Sequence, residues 1–221
     1  MSDISSCNSN DSKDIRVPKS SFVYNFVSFI IVFPIFKILL RGTVIGKENV
    51  PKNIPIIVVS NHGSHFDPPI IGHALGRPVA FMAKAELFKI PFIGFLIRKC
   101  GAYPVRRGAS DREAIKSALL RLQEGWATGI FLDGTRQDNG LVNNPMQGAA
   151  FLSARTGIPL LPIAIINTHR ALPVGAFIPR LIPVQMKIGK LIPAPCSKKR
   201  FDLENKTKEV QENINLMINE A

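Results

Sequence analysis

Apolar positions recur along this 221-residue chain with two different spacings. Compact apolar runs, several of them rich in β-branched residues, predict strands. We place these strands at residues 43–46, 55–60, 78–83, 128–132, 158–167 and 184–188. Apolar residues three and four positions apart predict helices at residues 68–75, 88–101, 110–125, 145–157 and in a C-terminal stretch around Val210 and Ile214. Because strands alternate with helices, we expect an α/β fold in which a mixed, partly parallel sheet is flanked by helices.

Two of these elements carry a more specific prediction. In residues 184–188, apolar side chains alternate with polar ones, which is typical of a half-exposed edge strand. Asp67 followed by Pro68 predicts the start of a helix. Aspartate caps the free N–H groups of a first turn, and proline is tolerated there.

The N-terminal residues divide into a polar and an apolar part. Residues 1–21 lack any apolar period, which predicts a disordered tail. Residues 22–41 are long and apolar enough to cross a bilayer, but Pro34 and Lys37 interrupt them, and either residue breaks or redirects a helix. We favour a broken, membrane-associating helical pair in one leaflet, with Lys37 and Arg41 among the headgroups. A buried core helix and a single spanning helix are the alternatives.

The composition narrows the class of partner. Lysine and arginine outnumber aspartate and glutamate by 28 to 16, and such an excess indicates an anionic partner. Nucleic acid is disfavoured, because the basic residues are spread along the chain and, with two Tyr and one Trp, are not interleaved with a base-stacking platform. The three cysteines are widely spaced, which indicates a reducing, intracellular compartment rather than a disulfide framework or a zinc ribbon.

The sequence "NHGSHFDPP" at residues 61–69 places His62, His65 and Asp67 directly after a predicted strand. Three interpretations compete: a metal cluster, a base with its orienting carboxylate, and an aspartate that only caps a helix. A metal is disfavoured, because zinc needs three or four ligands and no second cluster completes the set. His62 and Asp67 can meet only if the loop bends before the helix, and Gly63 allows that bend. Spacing alone leaves the base and the capping interpretations equally open.

A second loop, in "FLDGTR", also follows a predicted strand. Both loops are therefore expected at the carboxyl ends of strands, where α/β sheets bind ligands. The glycine and threonine of residues 133–136 can turn backbone N–H groups outward, and Arg136 is a bidentate phosphate donor. Other predicted loops contribute further basic side chains: Lys84, Arg106 and Arg107. Together with a histidine and an aspartate, these residues indicate a site for a phosphorylated alcohol.

Four sequence blocks, in this order, give the chain a resemblance to the 1-acylglycerol-3-phosphate acyltransferases, a family of glycerolipid acyltransferases. They are "NHGSHFDP" with the N-H-x-x-x-x-D spacing, "GAYPVRRG", "FLDGTR" and the proline-bearing "GIPLLPIAI". The resemblance runs from about Thr43 to Asn167. It implies transfer of an acyl group from a thioester of coenzyme A or acyl carrier protein to the free hydroxyl of lysophosphatidic acid, which gives phosphatidic acid in phospholipid biosynthesis.

The resemblance also implies roles for individual residues. His62 would remove the proton of the acceptor hydroxyl, and Asp67 would orient His62 and stabilise its charged form. The acceptor phosphate would be bound by Lys84, Arg107, Gly134, Thr135 and Arg136. No metal and no cofactor is implied, because the acyl thioester is a donor substrate.

Two positions depart from the family pattern. Asp133 stands where the family usually has glutamate, and Arg106 stands where it often has aspartate. Asp133 remains a candidate for substrate contact, with a shorter reach. Both departures leave open a different acceptor, either another lysophospholipid or a lipid alcohol. A catalytically silent, membrane-binding homologue is a further alternative, against which the intact His62 and Asp67 argue.

The expected partners follow from the implied reaction. They are a lysophospholipid acceptor, a coenzyme A or acyl carrier protein thioester as donor, and membrane lipids, with no nucleic acid. Residues 42–221 are expected to form one acyltransferase domain, because the chain is too short for two sizeable cores. Residues 22–41 would hold this domain at the cytoplasmic face of a membrane, as a monotopic or single-pass protein.

Overall fold

The structure is a computed structural model that describes residues 22–105, 111–173, 175–176 and 178–220. Its strands are β1 (Thr43–Ile45), β2 (Ile57–Ser60), β3 (Val79–Lys84), β4 (Tyr103–Val105), β5 (Ala127–Phe131), β6 (Leu160–Ile166) and β7 (Gln185–Ile188). Its helices are α1 (Phe22–Leu39), α2 (Asp67–Leu75), α3 (Pro91–Lys99), α4 (Asp111–Gln123), α5 (Gly148–Thr156), α6 (Thr168–Ala171) and α7 (Arg200–Asn219). Short 3₁₀ helices occur at Lys47–Asn49 and Ala85–Lys89.

Within the described residues, the strands form one seven-stranded sheet in the order β1-β7-β6-β2-β5-β3-β4. Neighbouring strands are parallel except for β6 and β7, which are antiparallel. Apolar cores lie on both faces, with α1 and α2 on one and α4, α5 and α7 on the other. Ile57, Val58 and Val59 of the central β2 are therefore all buried. The α/β fold with a partly parallel sheet, predicted from the sequence, is confirmed.

Strand β7 corrects one prediction. Its alternating pattern indicated an edge strand, but β7 pairs with β1 on one side and with β6 on the other. The alternation itself is present, since Met186 and Ile188 are buried while Gln185 and Lys187 are half-buried. Alternation reports unequal burial of two faces and carries no information about hydrogen bonding at the two edges. The edge strands are β1 and β4, and the three residues of β4 are too few to show a period.

Helix α1 continues through Pro34, which corrects the expectation of a broken helical pair. Most of its turns are π-helical, and the N–H of Phe33 donates to the carbonyl of Ser28, five residues earlier. These wider turns accommodate a proline, whose ring clashes with the preceding turn of an α-helix. By length and composition, α1 could cross a membrane.

One side of α1 packs on the rest of the fold. Phe36 is fully buried in the apolar core that α1 shares with α2. The Tyr24 hydroxyl donates to the Arg77 carbonyl at 3.0 Å, and Ser28 Oγ forms a 2.8 Å hydrogen bond with His73 Nδ1 on α2. Partly buried polar contacts of this kind favour one docked position for the helix.

Candidate active site

Two loops meet at the carboxyl edge of the sheet, because β2 and β5 are neighbouring parallel strands. Asn61, the residue after β2, is buried and joins them. Its Nδ2 donates to the carbonyls of Gly140 and Ile165, both at 2.7 Å, and its Oδ1 accepts the Ile165 N–H at 2.8 Å. Asn61 was not among the residues selected from the sequence. The signal that could have found it is an amide directly after a buried strand, where it can satisfy backbone groups that the sheet leaves unpaired.

Replacing Asn61 by alanine is expected to destabilise the fold by about 2–4 kcal/mol, because each buried backbone group left without a partner costs about 1–3 kcal/mol. Asn213→Ala is the matched control, since Asn213 is exposed on α7, and it should change stability by less than about 0.5 kcal/mol. Denaturant unfolding of both variants measures the difference. Equal unfolding midpoints would show that the Asn61 hydrogen bonds contribute nothing to stability.

His62 and Asp67 are in direct contact. His62 Nδ1 lies 2.8 Å from Asp67 Oδ2 in a hydrogen bond, and the Asp67 side chain is fully buried. The same Oδ2 accepts the backbone N–H groups of Gly63 and Ser64, each at 2.8 Å. The loop turns back on itself here, with the Asp67 N–H donating to the Ser64 carbonyl. The bend that the sequence required at Gly63 is therefore present.

Helix α2 starts at Asp67, as the Asp-Pro pair predicted, but Asp67 does not cap it. The N-cap residue is Phe66, and its side chain makes no capping hydrogen bond. The reason lies in the next residues: Pro68 and Pro69 have no N–H, and the Ile70 N–H donates to the Phe66 carbonyl. No donor is left for the carboxylate to cap, so it points back into the loop and contacts His62. Of the two interpretations that spacing left open, the geometry favours a base with its orienting carboxylate.

Aromatic rings hold the plane of the His62 imidazole. The ring stacks on Phe131, the last residue of β5, with centroids 3.8 Å apart and planes 10° apart. Phe131 in turn stacks on Phe81 of β3 at 5.2 Å. Gly129 leaves room for the Phe81 ring in this stack, because a Cβ at Gly129 would lie 2.1 Å from that ring. Phe131 was not selected from the sequence, although its place between a strand and the "DGTR" loop was a usable signal.

His169, distant in sequence, packs against the same loop. A Cβ at Gly63 would lie 2.8 Å from the His169 Cβ, and a Cβ at Gly140 would lie 2.6 Å from its Nδ1. Burial lowers the pKa of His169, as does the neighbouring Arg170. The side chain therefore stays neutral near pH 7 and supports the loop by packing. Tertiary structure brings His169 next to Gly63, because α6 follows β6 and β6 lies beside β2, the strand that precedes the loop.

A mostly apolar cavity of about 1540 Å³ opens beside His62. One face of α1 lines it, and this face consists of Tyr24, Val27, Ser28, Ile31, Val32 and Ile35. Lys84, Thr135 and Arg136 line the same cavity as His62. Arg136 Nη1 is buried and has no hydrogen-bond partner among the described residues. A buried guanidinium N–H without an acceptor is an available site for an anion.

The predicted phosphate-binding residues fall into three groups. Lys84 and Arg136 are brought together at the cavity. Gly134, at φ +65°, uses its N–H for the turn by donating to the Phe131 carbonyl at 3.0 Å, so of the two backbone donors predicted from the sequence Thr135 is the one that remains a candidate. Arg106 and Arg107 lie outside the described residues.

Asp133 supports its own loop. Its Oδ1 accepts the backbone N–H groups of Asn143 at 3.1 Å and Asn144 at 2.6 Å. Burial raises its pKa, and these two hydrogen bonds oppose that shift. Oδ2 is buried without a hydrogen-bond partner among the described residues. Contact of this carboxylate with substrate stays a prediction.

His65 faces the cavity as an exposed side chain. Burial of part of its ring lowers its pKa, and nearby Arg136, His62 and Lys84 lower it further. His65 is therefore neutral near pH 7, and it adds no charge to the group of cations. No cluster of three or more His, Cys, Asp or Glu side chains suited to a metal ion occurs in the part of the chain that the structure describes.

Comparison with known proteins places this site in a family. The Acyltransferase family profile matches residues 41–166, more than half of the chain. A chloroplastic 1-acyl-sn-glycerol-3-phosphate acyltransferase of Arabidopsis thaliana is 30% identical over 158 residues, which cover 70% of this chain and 43% of that protein. A lyso-ornithine lipid O-acyltransferase of Pseudomonas aeruginosa is 36% identical over 113 residues, which cover 50% of this chain and 43% of that protein.

The likeness extends to a solved structure. The crystal structure of the 1-acyl-sn-glycerophosphate acyltransferase PlsC from Thermotoga maritima matches with a TM-score of 0.69 and 29% sequence identity. The match covers 89% of this chain and 86% of that one. This chain spans less than half the length of the two relatives named above, but most of the Thermotoga protein. The matched family residues 41–166 include both loops of the candidate site, and the chain belongs to the acyltransferase family.

Proposed function

We propose that this protein transfers an acyl group from an acyl thioester to the free hydroxyl of lysophosphatidic acid and so forms phosphatidic acid. The observation that carries the proposal is that His62, bonded to Asp67, lines a large, mostly apolar cavity together with Arg136, whose Nη1 has no hydrogen-bond partner among the described residues. The reaction requires a base, an anion-binding group and space for hydrocarbon, and His62, Arg136 and the cavity are suited to these three roles. The relatives named as 1-acyl-sn-glycerol-3-phosphate acyltransferases support the choice of acceptor.

His62 would act as the general base. Because Nδ1 is bonded to Asp67, the neutral ring carries its proton on Nδ1 and leaves Nε2 as the acceptor. Nε2 takes the proton of the acceptor hydroxyl while the oxygen attacks the thioester carbonyl, and the buried carboxylate stabilises the imidazolium. The C–S bond then breaks, the ester C–O bond is complete, and His62 returns the proton to the leaving thiolate. This route needs no acyl-enzyme.

Arg136 and Lys84 would hold the acceptor phosphate, together with Arg107 and the Thr135 N–H. Both basic side chains line the cavity that His62 also lines. Fixing the phosphate would aim the hydroxyl at Nε2, so that binding energy is converted into orientation. A phosphate also has several acceptor oxygens, which suits a site that contains more than one cationic donor.

Arg136→Ala is expected to raise the KM for lysophosphatidic acid by about 10–100-fold, because a hydrogen bond to a charged group contributes about 1.5–3 kcal/mol. Transfer to a monoacylglycerol, which has no phosphate, should change by less than about threefold. Arg200→Ala, at an exposed site on α7, is the control and should leave both substrates unaffected. Equal losses with both acceptors would contradict a phosphate-binding role.

A different acceptor is the second candidate, because one relative is named a lyso-ornithine lipid O-acyltransferase and Asp133 replaces the usual glutamate. An assay with a panel of acceptors decides between lysophosphatidic acid and a different acceptor. Lysophosphatidic acid, other lysophospholipids, lyso-ornithine lipid and monoacylglycerol are each offered with acyl-coenzyme A and with acyl carrier protein thioesters. Lysophosphatidic acid should give the highest kcat/KM. A higher value for any other acceptor would overturn the first proposal.

We also propose that the protein is monotopic and sits on the cytoplasmic face of a membrane. The residues of α1 that line the cavity repeat every three or four positions along the helix, so one face meets the domain throughout. The opposite face is exposed and apolar, with Phe22, Phe26, Phe29 and Ile30. A helix with one side on protein and one side apolar and exposed is suited to lying in the plane of a leaflet.

A further inference from the structure

Helix α3 exposes an apolar face that the sheet does not use. Leu96 and Ile97, on its inner side, line the cavity. On its outer side, Phe92 is 74% exposed and Phe95 is 52% exposed, and Ile90 and Ile93 are also exposed. Large contiguous apolar patches on a protein surface mark sites of interaction rather than ordinary surface.

The charges around this face are almost all positive. Residues 84–99 contain four basic residues and one acidic residue, Glu86. Lys99 lies on the same side of α3 as Phe92 and Phe95, with its Nζ 5.8 Å from the Phe95 ring centroid. Arg98 and Lys89 are also exposed. Apolar rings with lysine or arginine at their margin match the boundary between hydrocarbon and anionic headgroups.

Helix α3 adjoins the start of α1. The first residues of α1, Phe22–Phe26, contact α3. Tyr24 of α1 and Ile97 of α3 line the same cavity. No acidic residue occurs from the start of α1 through Lys47, so the charge of this side remains positive. Two exposed apolar helices therefore stand side by side, with the cavity behind both.

We infer that α3 is a second membrane-docking element, which inserts Phe92 and Phe95 into an anionic leaflet beside α1. The positive rim argues for a lipid surface as the occupant, since the headgroups of such a leaflet supply the matching negative charge. The position of the cavity argues the same way. Docking through both helices places the cavity next to the hydrocarbon of the leaflet, so that acyl chains can pass from the leaflet into the cavity.

The test uses the full chain and measures binding to vesicles, which requires no turnover. The double variant Phe92→Asp/Phe95→Asp should bind vesicles of phosphatidylcholine with about 30% phosphatidylglycerol at least tenfold more weakly than the parent, since burying one phenylalanine is worth about 1.5–3 kcal/mol. Phe201→Asp is the matched control, because Phe201 is 71% exposed on α7, far along the chain from this face. It should bind within about twofold of the parent.

A second variant separates docking from folding. Lys99→Glu keeps both phenylalanines and should weaken binding to the anionic vesicles by at least about fivefold, with little effect on pure phosphatidylcholine, because each basic residue near an anionic surface contributes about 1 kcal/mol and this change also adds a repelled negative charge. Lys190→Glu, at another exposed lysine, is its control. Unchanged vesicle binding in both α3 variants would overturn the inference. So would a change of oligomeric state by light scattering with unchanged vesicle binding, which would make this face a contact between protein chains.

Discussion

Replacing His62 by alanine is expected to lower acyl transfer by about 10²–10⁴-fold, the usual contribution of a positioned general base, while the protein stays folded. His62 is partly exposed at the cavity, and its ring packs on one face against Phe131, so removing it leaves a gap at the surface rather than in the core. The measurement is kcat with lysophosphatidic acid, alongside circular dichroism and the unfolding midpoint.

His65→Ala is the matched control for this experiment. His65 lies three residues further along the same loop, lines the same cavity and has no hydrogen bond to Asp67. His65→Ala should lower kcat by less than about tenfold, since a neutral ring that contacts no reacting atom takes part in no proton transfer. Equal effects of the two substitutions would remove the base assignment from His62. Unchanged turnover in His62→Ala would also remove it.

Asp67→Asn is the second large effect, and we expect a loss of about 10³–10⁴-fold in kcat, as seen when the orienting aspartate of a histidine base is neutralised. An amide carries no negative charge to stabilise the imidazolium, and it can present N–H to His62 in place of an acceptor. The side chain is fully buried and accepts three hydrogen bonds at one oxygen, so it cannot move to a compensating position. Single-turnover kinetics measures the chemical step directly.

This substitution also separates a catalytic role of Asp67 from a purely structural one. An asparagine oxygen can still accept the loop N–H groups, so a residue that only supports the loop would tolerate the change with nearly full activity. A stability loss of about 1–3 kcal/mol is expected besides, because the loop N–H groups lose a charged acceptor. Full activity combined with lower stability would assign Asp67 to loop structure alone.

Much of the architecture could be predicted from the sequence because it depends on local patterns. The compact run before Asn61 predicted the buried strand β2, and the helical spacing of residues 110–125 predicted α4. The alternation of the two kinds of element then predicted a partly parallel sheet, with both loops at its carboxyl edge. His62, Asp67 and Arg136 could be selected for the same reason, since each stands directly after or near a predicted strand end.

Two of the predictions that the structure contradicts share a physical cause. Pro34 predicted a break in α1, but π-helical turns absorbed it, and such turns depend on how the helix packs. The alternation in β7 predicted an edge strand, whereas the pairing with β1 comes from a segment about 140 residues earlier. The wrong prediction of a cap at Asp67 has a local cause instead. Pro68 and Pro69 have no N–H, so the sequence itself already indicated that a cap would find few donors.

The sequence by itself determined the order of the elements, the family resemblance and the identity of the groups that can exchange a proton or hold a phosphate, because these follow from residue type and short spacing. Tertiary structure decided what those groups touch. It stacked His62 on Phe131, turned the Asp67 carboxylate away from α2 and used the Gly134 N–H in a turn. It also left Arg136 Nη1 without a hydrogen-bond partner among the described residues. It also set two apolar helices side by side. Contacts between residues distant in sequence depend on packing in three dimensions, which no local pattern encodes.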